Sequence, residues 1–255
     1  FDYAESMNLL IFLIRVERAL LQSCRQFLPI CCRISSMRVQ PKLAIGLVKY
    51  FGSKNASPAR YLHWSNTLTY IAIATGLLTV ASAREFDSAH LAGIMISLAC
   101  LADSFDGAFA RLFKRTDIQK RFGAQLDSLT DAMVFGAVPI ATELIFLEFS
   151  SLSAQLIWLG AAFIYLIAVV TRQGCFDVEQ AGSDGFVGLP TTVTGMFWCG
   201  HWLVLPESSS SVLFIVLLAV AMLAPIRVPG IGRLGLVILL VSVITLIIAH
   251  ASVLK

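Results

Sequence analysis

The stretch Asp103-Ser-Phe-Asp106-Gly107-Ala-Phe-Ala110-Arg111, continued after eleven residues by Gly123-Ala-Gln-Leu-Asp127-Ser-Leu-Thr-Asp131, sets four carboxylates into 29 residues of otherwise membrane-grade sequence. An ionised carboxylate at membrane depth is costly and requires a compensating partner. The spacings are helical: Asp103, Asp106, Gly107 and Ala110 form one stripe, and Gly123, Asp127 and Asp131 form another. Two antiparallel helices joined by a short loop bring all four acids together. Clustered oxygen ligands with no His or Cys nearby describe a site for a hard divalent cation, Mg²⁺ or Mn²⁺. One Arg, Arg111, cannot balance four acids, so a purely structural ion pair is disfavoured. Gly107, Ala110 and Gly123 let the two helices approach closely, and Arg111 suits a phosphate.

Working outward, the chain of 255 residues is 57% hydrophobic and 14% charged. Its apolar runs are long enough to span a bilayer, which excludes a soluble domain. The expected fold is an all-α polytopic transmembrane bundle of six to eight spans. Seven are read, near 66–83, 88–110, 123–147, 154–171, 187–205, 211–226 and 233–252. Residues 1–60 read as an N-terminal amphipathic and juxtamembrane segment. Within it Arg15, Glu17, Arg18 and Arg25 interrupt an apolar stretch, which fits an interfacial helix. Residues 61–255 form the transmembrane domain.

Of the 19 Lys and Arg residues, 17 fall on one side of this arrangement. The positive-inside rule places that side, with the loop carrying Arg111–Arg121, in the cytoplasm. A net charge of +3 gives no case for nucleic acid; anionic lipid headgroups account better for the basic residues. The six cysteines have no metal-ligand spacing and read as free thiols. Glu143 points to a cavity or a dimer contact, Asp117 to solvent, and His90, His201 and His250 read as isolated structural residues. Trp64 suits the interface, with Ser65 or Asn66 as helix cap.

The pattern Asp-x-x-Asp-Gly-x-x-Ala-Arg…Gly-x-x-x-Asp-x-x-x-Asp resembles the signature of the CDP-alcohol phosphotransferases. Its eight fixed positions make it specific. The loop from Arg111 to Gly123 is longer than the family's usual spacing, and a longer surface loop adds little closure entropy. Asn66 and Thr69 match a family Pro-Asn-x-x-Thr, with Ser65 in place of the proline. The resemblance implies two Mg²⁺ or Mn²⁺ ions held by Asp103, Asp106, Asp127 and Asp131, with Asp131 as general base. It also implies a CDP site formed by Asn66, Thr69, Asp106, Gly107, Ala110, Arg111 and Gly123, and a homodimer.

Asp127-Ser128-Leu-Thr-Asp131 followed by Phe135-Gly136-Ala-Val-Pro139, and later Gly188-Leu189-Pro190, resemble the phosphatidylserine synthase branch. Ser128, Arg172, Gly188, Leu189 and Pro190 are therefore acceptor-side candidates. The branch's Arg-x-x-Arg-Phe-Asn is altered here, with Cys175 and Asp177 replacing the second Arg and the Asn. The implied reaction joins serine to the phosphatidyl group of CDP-diacylglycerol, releasing CMP. Glycerol phosphate, inositol or inositol phosphate are the other acceptors. An ion-coupled transporter is the rival class, but it predicts acids spread along a path.

Overall fold

The computed structural model describes residues 61–179, 186–204, 208–228 and 233–254, all within the compact unit Pro58–Lys255. The expected interfacial helix of residues 1–60 lies outside the described residues. After a 3₁₀ turn (Trp64–Asn66) come α1 (Thr67–Phe86), α2 (Ala89–Ala110) and α3 (Asp117–Asp131). A π-helical segment (Ala132–Ala137) leads without a break into α4 (Val138–Phe146). Then follow α5 (Leu152–Glu179), α6 (Thr191–Val204), α7 (Ser208–Leu223) and α8 (Arg233–Val253), with two two-residue strands, β1 (Phe186–Val187) and β2 (Arg227–Val228). The expected all-α membrane bundle is what forms. Among the described residues, five stretches are long and apolar enough to cross a bilayer: Trp64–Phe86, Ala89–Ala110, Asp117–Phe146, Leu152–Phe176 and Gly235–Val253. Leu77, Leu156, Phe163, Leu217 and Ile248 are all more than half exposed, as a lipid-facing surface requires.

The fifth expected span is shorter than read, and the sixth keeps its length but lies three residues earlier. α6 has 14 residues and α7 has 16, or about 21 and 24 Å at 1.5 Å per residue. The chain reaches α6 as an extended stretch rather than as helix. β1 pairs antiparallel with β2, Phe186 opposite Val228. The Gly188 amide then donates to the Ile226 carbonyl (2.9 Å) and the Leu189 amide to the Ala221 carbonyl (3.1 Å). These bonds satisfy backbone groups that a non-helical segment would otherwise expose to lipid. Gly188 has φ +77, and a Cβ there would run into the Met222 carbonyl. Only glycine serves at this corner.

Packing places α2 at the centre, against α1, α6 and α8, while α5 packs on α7. The π segment sits between α3 and α4 and touches α5 and α6. Its cause is local. Pro139 has no N–H to offer the Phe135 carbonyl four residues back, and the Tyr165 hydroxyl donates to that carbonyl instead, at 2.6 Å. Trp198 Nε1 in turn donates to Tyr165 (3.0 Å). Leaving such a buried carbonyl unpaired would cost about 1–3 kcal/mol. Gly195 fits where a Cβ would meet the Phe135 ring and Cys100 Sγ, so α6 lies close on the π segment.

Several local expectations change. Neither Ser65 nor Asn66 caps α1 with its side chain; His63 Nδ1 instead accepts from the Ser65 amide (3.1 Å). The histidines are not isolated. His250 Nε2 faces the Cys199 carbonyl at 3.0 Å and so carries the proton. Its bare Nδ1 therefore accepts from His90 Nδ1, 3.1 Å away. This chain of bonds ties α2, α6 and α8. Glu143, 2% exposed, is a hub rather than a cavity or dimer contact. It accepts from Trp202 Nε1 (2.7 Å), Ser211 Oγ (2.8 Å) and His201 Nε2 (3.1 Å), which secures α4 to α6 and α7. Asp117 is solvent-exposed as expected and pairs with Lys120.

Candidate active site

The C-terminal turns of α2 and the last two turns of α3 bring their acids together, but not by the expected close approach at the small residues: a Cβ on Gly107 would meet only Arg111, and one on Gly123 only Asn66 and Arg115. One oxygen from each of Asp103, Asp106 and Asp127 lies within 4.8 Å of the others. Oxygens on opposite sides of a hard ion with ~2.1 Å bonds stand about 4.2 Å apart. A set of three carboxylates at this spacing therefore fits Mg²⁺ or Mn²⁺ with little movement. Asp106 Oδ2 accepts from Thr69 (3.1 Å) and Asp103 Oδ2 from Thr192 (2.5 Å). The hydroxyls of α1 and α6 thus orient acids borne on α2.

Asp131 stands apart from that group of three, although its carboxyl lies within hydrogen-bonding reach of Asp103's. Its Oδ2 accepts from Thr191 Oγ1 (2.7 Å) and Gln173 Nε2 (2.8 Å). Its Oδ1 is buried and accepts no hydrogen bond. Arg172 extends the chain by donating to Gln173 Oε1 (2.5 Å), with its guanidinium 5.3 Å from the Phe176 ring centroid. One carboxylate oxygen is held by two donors and the other by none.

A cavity of ≈ 200 Å³ opens beside the acids. Asn66, Thr69, Asp106, Gly107, Ala110, Arg111 and Gly123 all line it. The seven positions read from the sequence as the nucleotide site therefore share one space, formed by the start of α1, the end of α2 and the start of α3. Asp127 also lines it, so the cavity ends on the acid cluster. Ser65, Arg115, Lys120 and Ala124 line it too; the sequence assigned none of the last three to the site and gave Ser65 only as a helix cap and as the replacement for the family's proline.

The acceptor-side candidates divide. Ser128 and Arg172 are buried, and the Ser128 carbonyl accepts from Gln173 (3.4 Å). Gly188, Leu189 and Pro190 act through the backbone. Leu189 bonds to α7, Gly188 to Ile226 just beyond it, and the Pro190 carbonyl accepts from the first turn of α6; it is the next two residues, Thr191 and Thr192, that reach the acids. Cys175 is exposed, and the Asp177 side chain lies outside the described residues. Thr191, Thr192 and Gln173 were missed because single polar residues in an apolar helix commonly bond their own backbone. The only available signal was the Thr-Thr pair directly after Gly-Leu-Pro.

The family model for CDP-alcohol phosphatidyltransferase matches residues 62–254. An archaetidylserine synthase of Methanothermobacter thermautotrophicus is 29% identical over 169 residues, covering 66% of this chain and 70% of that protein. A CDP-diacylglycerol–serine O-phosphatidyltransferase of Methanocaldococcus jannaschii is 27% identical, covering 65% and 73%. One of Mycobacterium bovis is 31% identical over 134 residues, covering 49% of this chain. The chain spans less than half of that mycobacterial relative, 43%.

The acid cluster predicts metal binding that can be read without turnover. Mn²⁺ titration followed by electron paramagnetic resonance should show binding to the wild-type protein and to Asp117→Asn. Binding should weaken at least tenfold in Asp127→Asn. Equal affinity in all three proteins would place the metal elsewhere.

Proposed function

We propose, for a chain that belongs to the CDP-alcohol phosphatidyltransferase family, that it transfers the phosphatidyl group of CDP-diacylglycerol to serine, giving phosphatidylserine and CMP. Membership makes the chain a transferase rather than an ion-coupled transporter. The observation that carries the reading is the single cavity in which all seven nucleotide positions meet and which ends on three clustered carboxylates. Support for serine comes from the relatives above, each named for a serine lipid. The branch-like stretches Asp127–Asp131 and Gly188–Pro190 add to it.

In this reading the cytidine end lies by Asn66 and Thr69, and Arg111 pairs with the diphosphate. Asp103, Asp106 and Asp127 would hold divalent metal, which when bound would neutralise the diphosphate and ease departure of CMP. The serine hydroxyl oxygen forms a bond to the lipid-side phosphorus while the bond from that phosphorus to the CMP oxygen breaks. Asp131 accepts the hydroxyl proton at Oδ1, the oxygen that Thr191 and Gln173 leave open. The acyl chains stay in the bilayer, residues 61–255 are the catalytic unit, and the protein works as a homodimer. The one-sided basic residues put the site on the cytoplasmic face.

Purified protein given CDP-diacylglycerol and a panel of serine, glycerol 3-phosphate, inositol and inositol phosphate should release CMP with serine and form phosphatidylserine. Release with another alcohol but not serine would change the acceptor; no release at all would remove the reaction. Thr191→Val should lower kcat by about 10-fold or more, with KM for CDP-diacylglycerol little changed. Thr191→Ser, which keeps the hydroxyl, should restore most of it. Equal losses in both variants would deny the hydroxyl that role. For orientation, a cysteine placed at Ser151 should react with an impermeant reagent in intact cells, and one at Thr116 should not. The opposite pattern would invert the topology.

A further inference from the structure

We infer that the loop between α2 and α3, together with the first turn of α3, completes the diphosphate site: Arg115 and Lys120 join Arg111 as cations for the diphosphate of a cytidine nucleotide. The inference rests on the proposed nucleotide reading and extends it to residues outside the matched pattern. Arg115 lines the same cavity as Asn66 and Asp127. Its guanidinium lies 3.4 Å from where a Cβ on Gly123 would stand, and Asn66 Oδ1 lies 3.3 Å from that point. Across the cavity, the Arg111 guanidinium lies 3.7 Å from the corresponding point on Gly107. Two guanidinium groups thus sit over two glycines on facing helices, one on each wall.

Charge and burial favour this role over a surface one. Among the described residues, neither Arg111 nor Arg115 makes an ion pair. Arg115 is half-buried, whereas Lys114 beside it is exposed and lines no part of the cavity. Lys120 lines the cavity while bridging to Asp117 at the exposed rim, 3.1 Å apart, and an exposed pair of that kind holds weakly. The cavity therefore has an acidic end, Asp106 and Asp127, suited to metal, and a cationic end with three positive charges. A diphosphate linking a nucleoside to a lipid carries two negative charges and needs both. Arg115 presents a planar fork for two phosphate oxygens, and Lys120 a point charge.

The same cations would also attract an anionic lipid headgroup, so the test separates the two sources. Full-length protein in nanodiscs of zwitterionic lipid is titrated with soluble CDP in the presence of Mg²⁺, and steady-state rates are measured with CDP-diacylglycerol. Arg115→Ala and Lys120→Ala should each weaken CDP binding about tenfold and raise KM for CDP-diacylglycerol by a similar factor, with kcat within about twofold. The loss should shrink as salt is raised. Arg115→Lys should recover part of the affinity, and Lys114→Ala, which removes the same charge from the same loop, should bind CDP like the wild type. Unchanged CDP affinity in both alanine variants of an active enzyme would overturn the inference and leave the proposed reaction standing. So would a defect seen only in vesicles containing anionic lipid, which would assign the cations to a headgroup. A wild-type protein that neither binds CDP nor releases CMP with any alcohol would remove the proposed reaction and this inference with it.

Discussion

Like charges held close together where water is scarce determine much of what surrounds them. Two carboxylates 4 Å apart repel by roughly 4 kcal/mol at an effective dielectric of 20, and here three lie within 4.8 Å with a fourth beside them. At Asp103, Asp106 and Asp131 the hydrogen-bond donors are neutral side chains. Thr69, Thr191, Thr192 and Gln173 donate, from α1, α5 and α6, to acids on α2 and α3. Neutral donors orient the oxygens without cancelling the charge. The residual repulsion is what gives such a site its affinity for a divalent ion.

Positioning those donors explains features that look unrelated. α6 starts where it does because Leu189 is bonded to the last turn of α7 and Gly188 to Ile226 just beyond it, and that start sets Thr191 and Thr192 against the acids. The π segment begins at the residue after Asp131. A π turn shifts the faces of a helix relative to the residues before it, and such turns recur at functional sites. The helix can thus present Asp131 to the site while α4, beyond the π segment, presents Glu143 to a separate group of partners. Tyr165 and Pro139 together maintain this change of phase.

The clustering of the acids was legible because its geometry is local, whereas the nucleotide positions were named through the family resemblance. Steps of three and four along a helix fix which residues share a face, and a loop of a few residues fixes which helices meet. Asn66 joined them through a recognisable pattern. What escaped depends on distant pairing. Gln173 lies 42 residues from Asp131, and Thr191 lies 60; neither shows a periodicity that sets it apart. The shorter α6 escaped because Phe186–Pro190 is apolar and hydropathy does not distinguish extended chain from helix. The histidines looked isolated because their partners are 160 and 58 residues away. Arg115 read as part of a polar spacer because charge in a loop is ordinarily solvated.

The Glu143 hub also bears on how the protein is made. Its donors His201, Trp202 and Ser211 follow it by 58, 59 and 68 residues. At a synthesis rate of about 5–20 residues per second, α4 precedes the last of them by roughly 3–14 s. Until His201 and Trp202 are made, an acid destined for burial has none of its final partners. The carboxyl must meanwhile be protonated, drawn towards water, or sheltered by the insertion machinery. α6 and α7 therefore complete the partners of Glu143 late, and a nascent chain that stops after α5 leaves an unpaired acid in the bilayer.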